Sequence, residues 1–102
     1  MSETVRLCAK ADLPAEGQAR EFPIKDKVLC IAVIGGTAMA LNNICPHRGG
    51  PLAEGTIEGD KVVCPWHQWE FDLATGTVVH SPGTKTDAYP VTIVGEDVFV
   101  EI

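Results

Sequence analysis

Residues 28–41 read VLCIAVIGGTAMAL, two apolar runs separated by a Gly-Gly pair. Short runs rich in Val and Ile are typical of buried strands, and Gly-Gly is a preferred pair in a two-residue hairpin turn. The stretch therefore predicts a hairpin of two antiparallel strands, at residues 28–34 and 37–41. Cys30 lies inside the first run, where we expect an inert core thiol.

Similar short runs lie on both sides of this hairpin. Turn residues, such as Gly95-Glu96-Asp97, join several of them, and no run of ten residues shows the 3.6-residue period of a helix. Pro14 and Gly17 limit residues 11–18 to a short turn. The sequence predicts an all-β fold, a small antiparallel sandwich or barrel, with further strands at residues 5–9, 21–24, 61–64, 69–73, 91–94 and 98–102. Cys8 alternates with Leu7 in the first of these strands, which predicts an exposed thiol.

Two stretches do not fit this strand pattern, residues 42–55 and 80–88. Both are rich in Gly, Pro, Asn, Ser or Thr. Loops of this length inside a compact domain are usually functional. We therefore expect the chemistry of the protein to lie in these loops.

Two pairs of metal-ligating residues frame the centre of the chain. The first pair is Cys45-Pro46-His47, the second is Cys64-Pro65-Trp66-His67, and sixteen residues separate His47 from Cys64. Each pair is short enough to bind one metal centre, and its proline restricts the backbone around the ligands. The strands between the pairs can return the chain so that the two loop tips face each other. The candidate ligands are thus two thiolates and two imidazoles.

This double motif resembles that of the Rieske iron–sulfur family, in which the two Cys hold one iron and the two His hold the other. The resemblance implies one [2Fe–2S] cluster per chain on Cys45, His47, Cys64 and His67. It also implies an antiparallel sandwich or barrel of Rieske type with a loop-rich cluster-binding subdomain: a single domain over residues 1–102, with the cluster-binding part at about 42–88. His80 and the turn after it resemble a third loop that covers the cluster, and we leave His80 outside the ligand set.

The resemblance also indicates the range of the reduction potential. High-potential members of the family carry a second pair of cysteines in a disulfide, and Ser and Tyr hydroxyls that donate to the cluster and to a ligand sulfur. The corresponding positions here are Gly50 and Trp66 for the disulfide, Trp69 for the Ser and Phe71 for the Tyr. Each departure removes a cross-link or a donor, so we expect the low end of the Rieske range of roughly −150 to +300 mV. Trp69 and Phe71 alternate along a strand and should pack in the core.

Composition narrows the classes of function. The chain has 102 residues and a net charge of −6, without a cluster of Lys and Arg that could neutralise phosphates, which argues against nucleic acid and anionic membrane as partners. No apolar run approaches the roughly 18 residues of a membrane span, and no signal peptide is visible. We expect a cytoplasmic protein that is monomeric in isolation.

The predicted function is electron transfer. The first hypothesis is a soluble carrier that passes single electrons from a flavin-containing reductase to a terminal oxygenase and is not catalytic alone. The alternative is a Rieske-like small subunit of a larger reductase, such as assimilatory nitrite reductase. A third reading is a zinc-stabilised interaction module, since two Cys and two His also suit Zn²⁺. A catalytic oxygenase would need two more His and a carboxylate for its mononuclear iron, and the chain holds only three His.

Overall fold

The computed structural model describes residues 3–43, 51–65, 69–79 and 81–102. Within these ranges the chain is built from β-strands and two single-turn 3-10 helices, Lys10–Asp12 and Leu52–Glu54. The strands are β1 Thr4–Ala9, β2 Ala19–Ile24, β3 Lys27–Ile34, β4 Thr37–Asn42, β5 Thr56–Glu58, β6 Lys61–Val63, β7 Glu70–Asp72, β8 Thr77–Val78, β9 Ser81–Lys85, β10 Ala88–Tyr89, β11 Val91–Val94 and β12 Asp97–Glu101.

The strands form three antiparallel sheets. The first has the order β1-β12-β11, the second β10-β4-β3-β2, and the third β5-β6-β7-β8-β9. The predicted all-β antiparallel class is confirmed. Neither helical turn, at three residues each, is long enough to cross a membrane, and the described ranges contain no other helix that could.

Strand β3 is buried on both of its faces. Its residues Leu29 and Ile31 pack in a core cluster with Val98 of the first sheet. The alternate residues, Cys30 and Ala32, pack in a second core cluster that the third sheet completes. Because successive side chains of a strand point to opposite faces, the four-stranded sheet lies between the other two sheets. This explains why residues 28–34 read as an unbroken apolar run rather than an alternating one.

The predicted hairpin of β3 and β4 is confirmed, with Ile34 paired with Thr37. Its turn residues Gly35 and Gly36 have φ of 61° and 76°, the left-handed conformation that a type I′ turn needs and that glycine adopts without strain. The carboxylate of Glu16 accepts N–H bonds from both glycines. These contacts lower the pKa of Glu16, with the Gly36 N–H as the larger cause and the Gly35 N–H as the smaller one.

The prediction of a strandless loop at residues 80–88 is wrong. Strand β9 spans Ser81–Lys85, and β10 begins at Ala88. Pro82 and Gly83 are rare inside sheets, but β9 is the last strand of its sheet, and an edge strand tolerates a residue that cannot donate to the ladder. The short strands β5 and β8 were also not predicted, because two or three residues are too few for periodicity to reveal.

The predicted exposure of Cys8 is also wrong, since its side chain is buried. The register of β1 against β12 shifts between Arg6 and Cys8, which places a β-bulge at Leu7. A bulge interrupts the alternation of side chains, so Cys8 turns inward beside Val98. The short turn expected within residues 11–18 is present at residues 15–18, where the N–H of Gln18 donates to the carbonyl oxygen of Ala15 at 3.0 Å.

Candidate metal centre

Cys64 is the predicted ligand that the structure describes. It follows β6 directly and is fully buried in the core cluster beneath the third sheet. Its backbone N–H donates to the carbonyl oxygen of Trp69 at 2.8 Å, which closes the second ligand loop at its base. Cys45, His47 and His67 lie outside the described residues, as do Gly50, Trp66 and His80.

The base of the first ligand loop is closed by Asn43. This residue follows the end of β4, and its carbonyl oxygen accepts a 2.8 Å bond from the N–H of Leu52. Its side-chain Oδ1 accepts a second 2.8 Å bond, from the N–H of Ala53. The chain that enters the loop and the chain that leaves it are therefore tied together before Cys45 and after residue 50.

The two loop bases lie against each other. Gly55, which follows the first loop, sits so close to β6 that a Cβ built on it would lie 1.8 Å from the carbonyl oxygen of Val63. Val63 immediately precedes Cys64, and Leu52 packs in the same core cluster as Cys64. The structure thus brings the stem of the Cys45 and His47 loop beside the stem of the Cys64 and His67 loop.

A third contact anchors the strands that follow the second loop. The N–H of Thr86 donates to the carbonyl oxygen of Gly76 at 2.9 Å, and the N–H of Asn42 donates to Asp87 at 2.8 Å. A Cβ on Gly76 would lie 2.2 Å from the carbonyl oxygen of Thr86. The segment after β9 is therefore fixed to the end of β4, next to the first loop.

The sequence did not single out Asn43, Gly55 or Thr86. Gly55 could have been found from the sequence, because it lies between a short apolar stretch and a strand without belonging to a turn dipeptide. An isolated glycine of this kind indicates close backbone approach. No sequence pattern indicates Asn43 or Thr86, since the hydrogen bonds of each join it to a segment that is separate in the sequence.

The residues at the Ser and Tyr positions pack as predicted. Phe71 is fully buried in the core cluster that contains Cys64, and Trp69 is half-buried against the same cluster. These large side chains supply apolar surface to the cluster in which Cys64 is buried. Neither supplies a hydroxyl donor.

The two remaining described thiols are also buried, Cys30 in the core cluster that contains Cys64 and Cys8 in the other core cluster. Burial raises the pKa of Cys30 to about 12, with a smaller contribution from the nearby carboxylate of Glu21. Burial also raises the pKa of Cys8, and the charge of Asp12 acts in the same direction. A thiol with a raised pKa is a poor metal ligand at neutral pH because the thiolate is the ligand form. Cys30 is confirmed as a core residue.

The four predicted ligands are a better candidate for the metal centre than any other group of residues that the structure describes. Among the described residues, no three His, Cys, Asp or Glu side chains converge on a point where a metal could bind. Cys64 has the position expected of a ligand, at the buried root of a loop whose base is closed, beside the root of the loop that carries Cys45 and His47. Two thiolates and two imidazoles are the donors of a Rieske centre.

A fold of the same shape occurs in a reductase subunit. The chain superposes on an NADH-dependent nitrite reductase small subunit from Mycobacterium tuberculosis with a TM-score of 0.89, covering 100% of this chain and 96% of that one, at 18% sequence identity. At this identity the match shows a shared fold.

Several relatives that match over most of their own length are ferredoxin components of oxygenase systems. The ferredoxin component of the naphthalene 1,2-dioxygenase system of Pseudomonas aeruginosa is 32% identical over 88 residues, covering 85% of each chain. That of the p-cumate 2,3-dioxygenase system of Pseudomonas putida is 32% identical over 105 residues, covering 100% of this chain and 88% of the relative. A chain from the complex of reduced oxygenase and oxidised ferredoxin in carbazole 1,9a-dioxygenase superposes with a TM-score of 0.82 at 27% identity, over 95% of this chain and 91% of that one.

The family model that describes the Rieske [2Fe-2S] domain matches residues 3–97. This range contains both ligand pairs, the stems of both loops and nearly all of the three sheets. Together with the ferredoxin relatives, the match shows that the chain belongs to the Rieske [2Fe-2S] domain family and that its cofactor is a [2Fe–2S] cluster.

Proposed function

We propose that this protein is an electron carrier that accepts single electrons from a flavin-containing reductase and delivers them to a terminal oxygenase. The observation that carries the proposal is the extent of the match to ferredoxin components, which covers 85% of the naphthalene relative and 88% of the p-cumate relative. Those relatives are electron-transfer components and not catalysts by themselves. We extend this to the chain as a non-enzymatic, cytoplasmic and monomeric component, a single domain over residues 1–102 with its cluster-binding part at about 42–88.

The proposed ligands are Cys45 and Cys64 for one iron and His47 and His67 for the other. When bound, the cluster takes up and releases one electron at a time. The chain's own contribution is to close the base of each ligand loop, to bury Cys64, and to pack apolar side chains in the same core cluster as Cys64. The two histidines lie at loop tips in this proposal, and they provide a short route for the electron to a partner.

The reductase-subunit alternative has weaker support. The nitrite reductase small subunit is 18% identical to this chain, whereas the ferredoxin component of the naphthalene 1,2-dioxygenase system of Pseudomonas aeruginosa is 32% identical. The two functions differ in how the protein behaves in its native cell extract. A free carrier is expected to elute as a monomer in size-exclusion chromatography, while a subunit would copurify with its enzyme.

Spectroscopy of the purified protein tests the cofactor and its potential. We expect two iron atoms per chain, a Rieske-type paramagnetic spectrum on reduction, and a one-electron midpoint near the lower limit of roughly −150 mV. The missing hydroxyl donors at Trp69 and Phe71 are the reason for a low value, since donors to sulfur stabilise the more negative reduced centre. A clearly positive midpoint would contradict this reasoning, and a colourless zinc protein would support the interaction module.

Matched substitutions test the ligand set. We expect Cys64→Ser and His67→Ala to lose iron or change the spectrum, whereas Cys30→Ala and His80→Ala keep both. Cys30→Ala is the control for Cys64→Ser, and His80→Ala is the control for His67→Ala. Each control removes the same type of side chain as the ligand variant, so the comparison separates ligation from a general effect on folding. Loss of the cluster in His80→Ala would show that the ligand assignment is wrong.

A further inference from the structure

Asn43 joins two segments that are separate in the sequence. It is 5% exposed and makes three hydrogen bonds to other residues that the structure describes. Its N–H donates to the carbonyl oxygen of Val28 at 2.9 Å, and its own carbonyl oxygen accepts from the N–H of Leu52 at 2.8 Å. Its side-chain Oδ1 accepts from the N–H of Ala53 at 2.8 Å. One residue therefore binds β3, the end of β4 and the 3-10 turn Leu52–Glu54.

The side chain of Asn43 replaces a local helix cap. The first N–H groups of a helical turn have no partner within the turn, and a side-chain oxygen at the preceding residue usually accepts from them. Here the preceding residue is Pro51, which makes no side-chain cap bond. The acceptor comes instead from Asn43, on the opposite side of the first ligand loop. The cap of the turn and the closure of the loop are thus the same hydrogen bond.

We propose that Asn43 is a positioning residue for the first pair of cluster ligands, which holds the ends of their loop together and keeps water from the cluster. The inference rests on the proposed ligands Cys45 and His47. A side chain with an acceptor at the Oδ1 position is needed to meet the partly buried N–H of Ala53. An apolar replacement leaves that donor without a partner and releases one side of the loop base.

The effect on the cluster follows from charge. The oxidised centre with two thiolates is neutral, and the reduced centre carries one more negative charge. Water stabilises the more highly charged state, so a looser loop that admits water favours reduction. Asn43→Ala should therefore raise the midpoint potential as well as weaken retention of the iron. A residue that served folding alone would move neither property in the native protein.

The test compares four holoproteins: wild type, Asn43→Ala, Asn43→Asp and Val98→Ala. Val98 is fully buried in the other core cluster, so Val98→Ala lowers stability at a distance from the ligand loops. Release of iron to a chelator, midpoint potential and paramagnetic spectrum are measured at a temperature at which all four are folded. Asn43→Asp retains an oxygen acceptor at the same place and serves as the conservative rescue.

We expect Asn43→Ala to release iron roughly ten-fold faster than wild type, the effect of losing about one hydrogen bond, with a raised midpoint potential and a changed spectrum. Val98→Ala should match wild type in iron release, midpoint potential and spectrum, and Asn43→Asp should release iron near the wild-type rate. If Asn43→Ala does not accumulate as folded protein, Asn43→Ser carries the same expectations. Equal behaviour of the Asn43 variants and Val98→Ala would overturn the assignment. Wild-type protein without iron would overturn the proposed function, and this inference with it.

Discussion

At the scale of single residues, contacts between the two loop stems leave no room for an added atom. Gly55 has φ −80° and ψ −170°, a conformation open to any residue, so its identity is set by space. A methyl group there would meet the carbonyl oxygen of Val63, which belongs to the backbone and cannot move aside without moving Cys64. A change in packing at Gly55 would therefore displace Cys64, a proposed ligand.

We expect Gly55→Ala to destabilise the protein by about 3 kcal/mol, the upper part of the range for overpacking, and to reduce the iron content. Gly59→Ala is the control, because Gly59 has φ +64° with open space around it and should cost only about 1 kcal/mol of backbone strain. Thermal denaturation and iron per chain are the measurements. Equal effects in both variants would show that the contact with Val63 is unimportant.

The buried thiols predict selective reactivity. Burial raises the pKa of Cys30 to about 12, so almost no thiolate is present at neutral pH, and alkylation requires the thiolate. We expect iodoacetamide to leave Cys30 and Cys8 unmodified in the folded holoprotein and to modify all four cysteines after unfolding in guanidinium. Peptide mass spectrometry distinguishes the sites. Modification of Cys30 in the folded protein would contradict its placement in the core.

At the scale of secondary structure, features set by adjacent residues were predictable from the sequence, whereas features set by long-range contacts were not. The hairpin of β3 and β4 was predictable because its apolar runs and its Gly-Gly turn are adjacent. Strand β9 was not, because Pro82 and Gly83 oppose strand formation locally and only the edge position permits it. The ligand pairs were visible as motifs, whereas the closure by Asn43 depends on a fold that brings it to Ala53.

The contact of Glu16 with the β3–β4 turn predicts a pH dependence. Its folded-state pKa is lowered by the two glycine N–H groups, so its stabilising effect is complete above the ordinary glutamate pKa of about 4.3 and is lost as the pH falls through the lower folded value. We expect wild type to have a higher melting temperature than Glu16→Gln at neutral pH, with the difference shrinking in acid. Glu58→Gln, an exposed carboxylate on β5, is the control for loss of charge alone. A difference that stays constant from neutral to acid pH would rule out this role.

At the scale of the whole molecule, the net charge of −6 favours partners with a basic docking face. Long-range attraction of this kind is screened by salt, because the Debye length falls from about 30 Å at 0.01 M to about 8 Å at 0.15 M. Electron transfer to the oxygenase should therefore become slower as ionic strength rises. Stopped-flow mixing of the reduced protein with the oxygenase measures the rate.

Two charge variants locate the docking face. Glu58 lies on β5, in the third sheet, whose strand β6 leads directly into Cys64, whereas Glu101 lies on β12, in the first sheet, and both are exposed. We expect Glu58→Gln to reduce the rate and its salt dependence more than Glu101→Gln, since the partner must approach the ligand loops. Equal effects would indicate steering by total charge without a preferred face.

Strand β3 contributes one set of side chains to each of the two cores, so neither core is complete without it. Its amide protons should exchange with deuterium only when the entire molecule unfolds, and they should be the slowest in the protein. The edge strand β11, with Ile93 and Val94 exposed, is expected to exchange much earlier. Because both cores contain side chains of β3, the core beneath the third sheet cannot stay folded once the other core is lost. Iron release on heating should therefore coincide with a single cooperative unfolding transition.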